Sequence, residues 1–147
     1  MYKPANRIKE WIVKAWILML LALSLPALAQ EEAKEGEGEP KAAYVSLTPP
    51  FVGNYALDGG PKLRVYKADI ALRVTGADAQ AAVKRNDPLI RNLLVALFTQ
   101  QTVDSMSSAE AKENIRQEAL KQVQQVMTSE EGKPIVEDLL FNNFIVQ

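Results

Sequence analysis

The chain has 147 residues with no cysteine and no histidine, and its formal net charge is −1. Those absences exclude disulfides, thiol catalysis, imidazole acid/base chemistry, ordinary zinc sites and lipid attachment through an N-terminal cysteine. Residues 1–29 carry Lys3, Arg7, Lys9 and Lys14 against Glu10, a balance of +3 that leaves −4 for the remainder; an acidic body repels phosphate backbones, so no nucleic-acid partner is expected.

The first element is a targeting segment. Basic residues precede an apolar run that ends at Pro26, and Ala27-Leu28-Ala29 supplies the small residues a signal peptidase accepts. A helix from Ala15 to Ala29 would be about 22 Å long, short of the roughly 30 Å hydrocarbon core. Starting at Trp11 and letting Lys14 snorkel lengthens it to about 28 Å. Residues 1–29 therefore read either as a signal peptide cut after Ala29, with Ala27 and Ala29 as its recognition residues, or as a short inner-membrane anchor through residues 11–29. In both cases the basic end stays cytoplasmic and the rest of the chain is exported.

Residues 30–43, "QEEAKEGEGEPKAA", have no large apolar side chain and read as a flexible acidic linker. "GEGEPK" begins like a dinucleotide fingerprint but has Lys41 in place of the third glycine and no strand before it.

Order is expected from Tyr44 to Gln147. "YVSLTPPFVGNYAL" predicts an edge strand interrupted at Pro49 and Pro50, with a tight reversal at Asp58-Gly59-Gly60-Pro61. Tyr66, Ala68, Ile70, Leu72 and Val74 then alternate with Lys67, Asp69, Ala71, Arg73 and Thr75, the pattern of a strand with one buried face. Leu63 and Val65 have the opposite parity, so a bulge near Val65 is needed if they are to lie inside. Asp78 is placed to cap a short helix ending near Asn86, and Asp87-Pro88 marks the start of a second. Leu89, Ile90, Leu93, Leu94, Leu97 and Phe98 form its apolar stripe. Ser107 and Glu110 have capping-box spacing before a long helix whose inner side carries Ile115, Leu120, Val123 and Met127. Glu131-Gly132-Lys133-Pro134 closes it, and "IVEDLLFNNFIVQ" predicts a final, mostly buried strand. The fold class is α+β: one domain with a small antiparallel-type sheet covered by two to three helices.

Little in this stretch supports catalysis. Glu137 and Asp138 are adjacent, so in a strand they point to opposite faces and do not converge on a substrate. A hydrolase built on Ser105 or Ser107 lacks a Ser-x-x-Lys motif, and serines ahead of a helix serve as caps. Gly132-Lys133 has no glycine-rich loop before it, and there is no Asp-x-Asp for calcium. No catalytic residue, metal or cofactor is expected. Tyr66, Phe141 and Phe144 are expected in the core, and Arg85, Arg91 and Arg116 as solvated surface charge, with pairing to a neighbouring subunit as the alternative.

The succession "PPFVGN", "LRVYKADIALRV", "NDPLIRNLLVALFTQQTVDSMSSAEAKENIRQEAL" and "VEDLLFNNFIVQ" resembles the flagellar basal-body-associated protein FliL family across residues 44–147. Positions that match the family pattern, mainly structural, are Pro50, Phe51, Asn54, Pro88, Ile90, Leu97, Thr102, Ile115, Arg116, Phe141, Phe144 and Gln147. The resemblance implies a stomatin-like periplasmic domain behind a membrane anchor and a linker. It also implies a non-enzymatic role in motility, through contacts with the flagellar stator, basal-body proteins and further copies of itself. Two features depart from the pattern: the leader is short and ends in a cleavage-like Ala27-Leu28-Ala29, and Glu110 is followed by Ala111 where the family often has glycine. A free periplasmic binding or chaperone-like module sharing the fold without a motor role is the alternative reading.

Overall fold

The computed structural model describes residues 38–57 and 60–147. The targeting segment, most of the linker and Asp58-Gly59 of the expected reversal lie outside the described residues. Three strands, β1 (Ala42–Tyr55), β2 (Arg64–Thr75) and β3 (Asp138–Val146), form an antiparallel sheet in the order β1-β2-β3. Between β2 and β3 the chain makes four helices: α1 (Ala77–Arg85), α2 (Asp87–Thr99), α3 (Val103–Ser107) and α4 (Ala109–Glu131). Among the described residues no helix is long and apolar enough to cross a membrane.

β2 is the central strand, and its alternation behaves as its sequence predicts. Tyr66, Ala68, Ile70, Leu72 and Val74 are all buried, facing the helices together with Val45, Leu47, Phe51 and Tyr55 of β1 and Leu139 of β3. Among the described residues the opposite face of the sheet has no helix on it; Tyr44 and Val52 of β1 and Ile145 of β3 stand exposed there. Ala71 belongs to this outer face, yet is buried because its side chain is small enough for neighbouring strands to cover.

Several expectations need correction. Pro49 and Pro50 do not end β1. The strand runs through them as an irregularity between Leu47 and Phe51, where one β2 residue, Asp69, faces three of β1, an arrangement an edge strand tolerates because its outward N–H groups have no ladder partner. No bulge forms near Val65, where the register with β1 is continuous. Leu63 therefore stays outside, 71 % exposed. β3 is an edge strand rather than a mostly buried one, with Leu139 its only fully buried residue. Its own bulge, at Asn142, lies between the pairs Phe141–Ile70 and Asn143–Asp69. That extra residue brings Phe141 and Phe144, three apart in sequence, onto the same inner face.

The helix starts are shifted by one residue or two. α1 has Gly76 as N-cap with no side-chain cap, so Asp78 sits in its first turn and favours the helix dipole instead. α2 begins at Asp87 after Asn86, placing Pro88 one position later than N1, where a missing N–H is still harmless. Leu89 falls off the apolar stripe and is exposed, while Ile90, Leu94, Leu97 and Phe98 are buried. The short helix α3 was not expected: Thr102 and Ser105 cap each other reciprocally at its start. Ser108, not Ser107, then caps α4, accepting from Ala111 N–H. Ile115, Ala119, Val123 and Met127 form the buried side of α4, with Leu120 at its margin, and Gly132 ends the helix at φ 77°.

Candidate functional site

The residues singled out by the sequence converge mainly on one aromatic cluster under the sheet. Phe98 of α2 is its hub, with ring centroids 6.1 Å from Phe51, 5.2 Å from Tyr66, 6.1 Å from Phe141 and 5.8 Å from Phe144. Phe141 and Phe144 stack on each other at 4.7 Å, both half-buried at the edge of the core. Ile90, Leu97 and Ile115 complete the same core. Tyr66 lies across the strand from Gly53, and a Cβ there would sit 2.8 Å from the Tyr66 hydroxyl oxygen. Glycine at 53 thus leaves room for the ring. The phenol is 1 % exposed and forms no hydrogen bond among the described residues. Burial pushes its pKa up; the Thr99 side chain, near the phenol but outside hydrogen-bonding geometry, opposes the shift only partly.

Cations clamp both ends of the cluster. Arg91 sits 4.7 Å from the Phe51 ring centroid, donates to the Pro49 carbonyl at 2.6 Å and pairs with Asp87 one turn earlier. Lys112 stands 5.6 Å from the Phe144 ring. Beside it, Arg116 donates to both Glu113 oxygens at 2.7 and 2.6 Å, to Asp138 at 2.6 Å and to the Leu139 carbonyl at 3.0 Å. These hydrogen bonds, followed by one from Gln117, hold the Glu113 carboxyl down to about 2, and Glu113 and Asp138 hold the guanidinium above its ordinary range.

All three arginines are thus ion-paired within the chain, Arg91 and Arg116 partly buried and Arg85 still exposed to solvent. Arg85 forks onto Glu131, whose carboxylate also accepts from the buried Asn86 amide; Asn86 first and Arg85 second lower its pKa. This cluster borders a concavity of about 470 Å³ that is also lined by Pro40, Gly76, Asp78 and Lys133.

The remaining motif residues do structural work apart from one another. Thr102 caps α3, Pro88 starts α2, and Gln147 exchanges two backbone hydrogen bonds with Val65. Pro50 and Asn54 are exposed on β1. The serines are engaged locally, Ser105 with Gln101 and Thr102, and Ser107 with the Asp104 carbonyl. Glu137 bonds Thr75 and Arg73 while Asp138 bonds Arg116, so the two acids serve separate contacts. Among the described residues no group of three acidic, histidine or cysteine side chains is placed to hold a metal ion. Sequence reading missed the Phe98 hub and the Arg116 node; the spacing of Glu113 and Arg116, three apart on a helix, was the available signal for the latter.

Among the described residues this arrangement supplies an aromatic core with partly exposed rings at one sheet edge, a sheet face with no helix on it and a charged rim. A family model described as "Flagellar basal body-associated protein FliL" matches residues 44–147. The flagellar protein FliL of Aquifex aeolicus (strain VF5) is 28% identical over 102 residues, covering 69% of this chain and 59% of that protein. The chain thus spans about three fifths of the length of that curated relative. Because the family match runs from β1 through β3, well over half of the chain, the protein belongs to the FliL family of flagellar basal body-associated proteins.

Proposed function

We propose that this protein is a non-enzymatic accessory of the flagellar basal body that supports motility through contacts with the stator, with basal-body proteins and with other copies of itself. The observation that carries this reading is the family match over residues 44–147, which takes in the sheet, the helices and the aromatic cluster together. Residues 44–147 act as a periplasm-facing, stomatin-like domain joined by the acidic linker of residues 30–43 to a basic N-terminal segment. The domain's role is mechanical: it presents its sheet face and edge to neighbours instead of turning over a substrate.

The targeting segment decides how the domain is held. A chain that keeps residues 11–29 is tethered to the inner membrane beside the motor; one cut after Ala29 reaches its partners by binding alone. N-terminal sequencing of the protein from membrane and soluble fractions separates the two. A strain lacking the protein is expected to lose swimming speed or swarming in viscous medium, and wild-type motility in that strain would refute the motor role.

A further inference from the structure

The end of the sheet at which β1 turns into β2 carries a patch that combines bare aliphatic side chains with cations. On the outer face, Val52, Lys67 and Ile145 stand side by side in one row of the register, a cation between two exposed aliphatic residues. Val65 has the same parity on β2, and Leu63 continues that face just beyond the strand end. Leu57 stands on the opposite arm, so the tip carries leucines that are 63 and 71 % exposed. Together with Lys62 and Arg64 they border a shallow concavity of about 360 Å³. Elsewhere among the described residues the large exposed apolar side chains are scattered singly, Tyr44 at the far end of β1 and Leu89 and Val95 on α2, and single ones are ordinary. The cations also stand apart. Arg73, Arg85, Arg91 and Arg116 each pair with a carboxylate, whereas Lys62, Arg64 and Lys67 form no ion pair among the described residues. Residues 42–67 hold those three cations against Asp58 alone, a local balance of +2 in a chain whose net charge is −1.

We infer that this hairpin end docks on an anionic phospholipid surface, with Leu57, Leu63 and Val52 entering the boundary between headgroups and acyl chains and Lys62, Arg64 and Lys67 held against lipid phosphates. A surface that is bare and apolar at its tip and cationic just behind it is complementary to an amphiphile with a negative head. Each cation near such a surface is worth about fivefold in binding. Leucines that protrude from a hairpin tip enter a fluid layer that reshapes around them, whereas a folded protein partner would need a matching socket. The contact is separate from the targeting segment. The chain enters the domain at Ala42, at the other end of a strand of 14 residues, roughly 40 Å from the hairpin. The inference goes beyond the protein contacts proposed above and leaves the Tyr44 end of the sheet face and the β3 edge to them.

The chain has no cysteine, so Pro61→Cys places a single environment-sensitive dye at the exposed tip without removing any of the named groups. Gln125→Cys, on the solvent side of α4, is the control position. Full-length labelled chains are reconstituted into phosphatidylcholine vesicles with or without phosphatidylglycerol, each containing a nitroxide-bearing lipid as quencher. The expected result is quenching several-fold stronger at position 61 than at position 125 when phosphatidylglycerol is present. That excess falls several-fold in pure phosphatidylcholine, in the Lys62→Gln/Arg64→Gln/Lys67→Gln background and in the Leu57→Ser/Leu63→Ser background, with circular dichroism matching wild type. No excess at position 61, or an excess that neither the anionic lipid nor the substitutions alter, overturns the inference. Inorganic phosphate added to the detergent-solubilised chain is expected to leave the dye unchanged; a shift with phosphate alone assigns the cations to a free anion and overturns it. A dye that stays in water in the lipid vesicles yet is shielded in membranes of the native cell marks a protein partner and also overturns it. None of these readouts depends on a motor, so the lipid contact and the motor role fail separately.

Discussion

The Tyr66 ring of β2 lies directly over Gly53 of β1, close enough that a single methyl group at 53 would approach the phenol oxygen to 2.8 Å. The pair fixes how β1 closes over the aromatic cluster, because Tyr66 also packs against Phe98. Gly53→Ala is expected to cost about 1–3 kcal/mol by overpacking a ring that cannot swing into solvent. Tyr66→Phe, which removes a buried hydroxyl without a hydrogen bond, is expected to be neutral or stabilising. In the double variant only part of the Gly53→Ala loss is recovered, since the 2.8 Å contact with the oxygen is gone while two ring carbons stay 3.0 Å from the added methyl. Urea denaturation of the four proteins measures the coupling.

Phe98 links β1, β2 and β3 through four aromatic neighbours. Phe98→Ala removes the hub and is expected to cost about 3–5 kcal/mol, with Phe98→Leu costing less. Thermal denaturation followed by circular dichroism checks the order of the two.

Arg116 ties α4 to the start of β3 through Asp138 and the Leu139 carbonyl while holding Glu113 within its own helix. Its side chain is only 24 % exposed. Arg116→Ala leaves these acceptors without their donor and is expected to destabilise by about 1–3 kcal/mol. Arg116→Lys recovers little, because one ammonium cannot reproduce the guanidinium's separate bonds to Glu113, Asp138 and the main chain. Hydrogen exchange should show the loss first at the β3 end near Leu139.

Acid should weaken the domain through Glu113 and Glu131. Each has a folded-state pKa below its ordinary value, Glu113 going from 4.5 to about 2 through hydrogen bonds from Arg116 and Gln117, and Glu131 lowered by Asn86 and Arg85. A group depressed on folding adds stability that is fully present above its unfolded pKa and is lost as pH falls toward the folded one. Stability is therefore expected to decline below about pH 4.5 and to keep falling toward pH 2. Glu113→Gln lowers stability at neutral pH and flattens that acid slope. A slope unchanged by the substitution would contradict the assignment.

The sheet and the long helix were legible because their signals are local and periodic. The alternation from Tyr66 to Val74 reports one buried face, and Gly132 can only end a helix in the left-handed conformation it adopts. What could not be read depended on contacts distant in sequence. Nothing near Asn142 announces a bulge; it is defined only by the register with Asp69 and Ile70, and it alone places Phe141 and Phe144 together. Leu63 and Val65 have outward parity in the sequence, and only the register with β1 shows that no bulge turns them inward. The cap shift from Ser107 to Ser108 reflects competition from α3, since Ser107 is spent on the Asp104 carbonyl. Arginines read as surface charge found acids 46 and 22 residues away, Arg85 at Glu131 and Arg116 at Asp138. Of the features that could contact a partner, the aromatic residues were visible in sequence, whereas the row of Val52, Lys67 and Ile145 required the strand register.

The proposed role is to work at the flagellar basal body by protein contact. Affinity purification of the tagged full-length chain from motile cells, with quantitative mass spectrometry of what is retained, tests it most directly. Enrichment of stator and basal-body proteins over an untagged control is the expected result. A tagged chain that supports normal motility yet retains neither would contradict it.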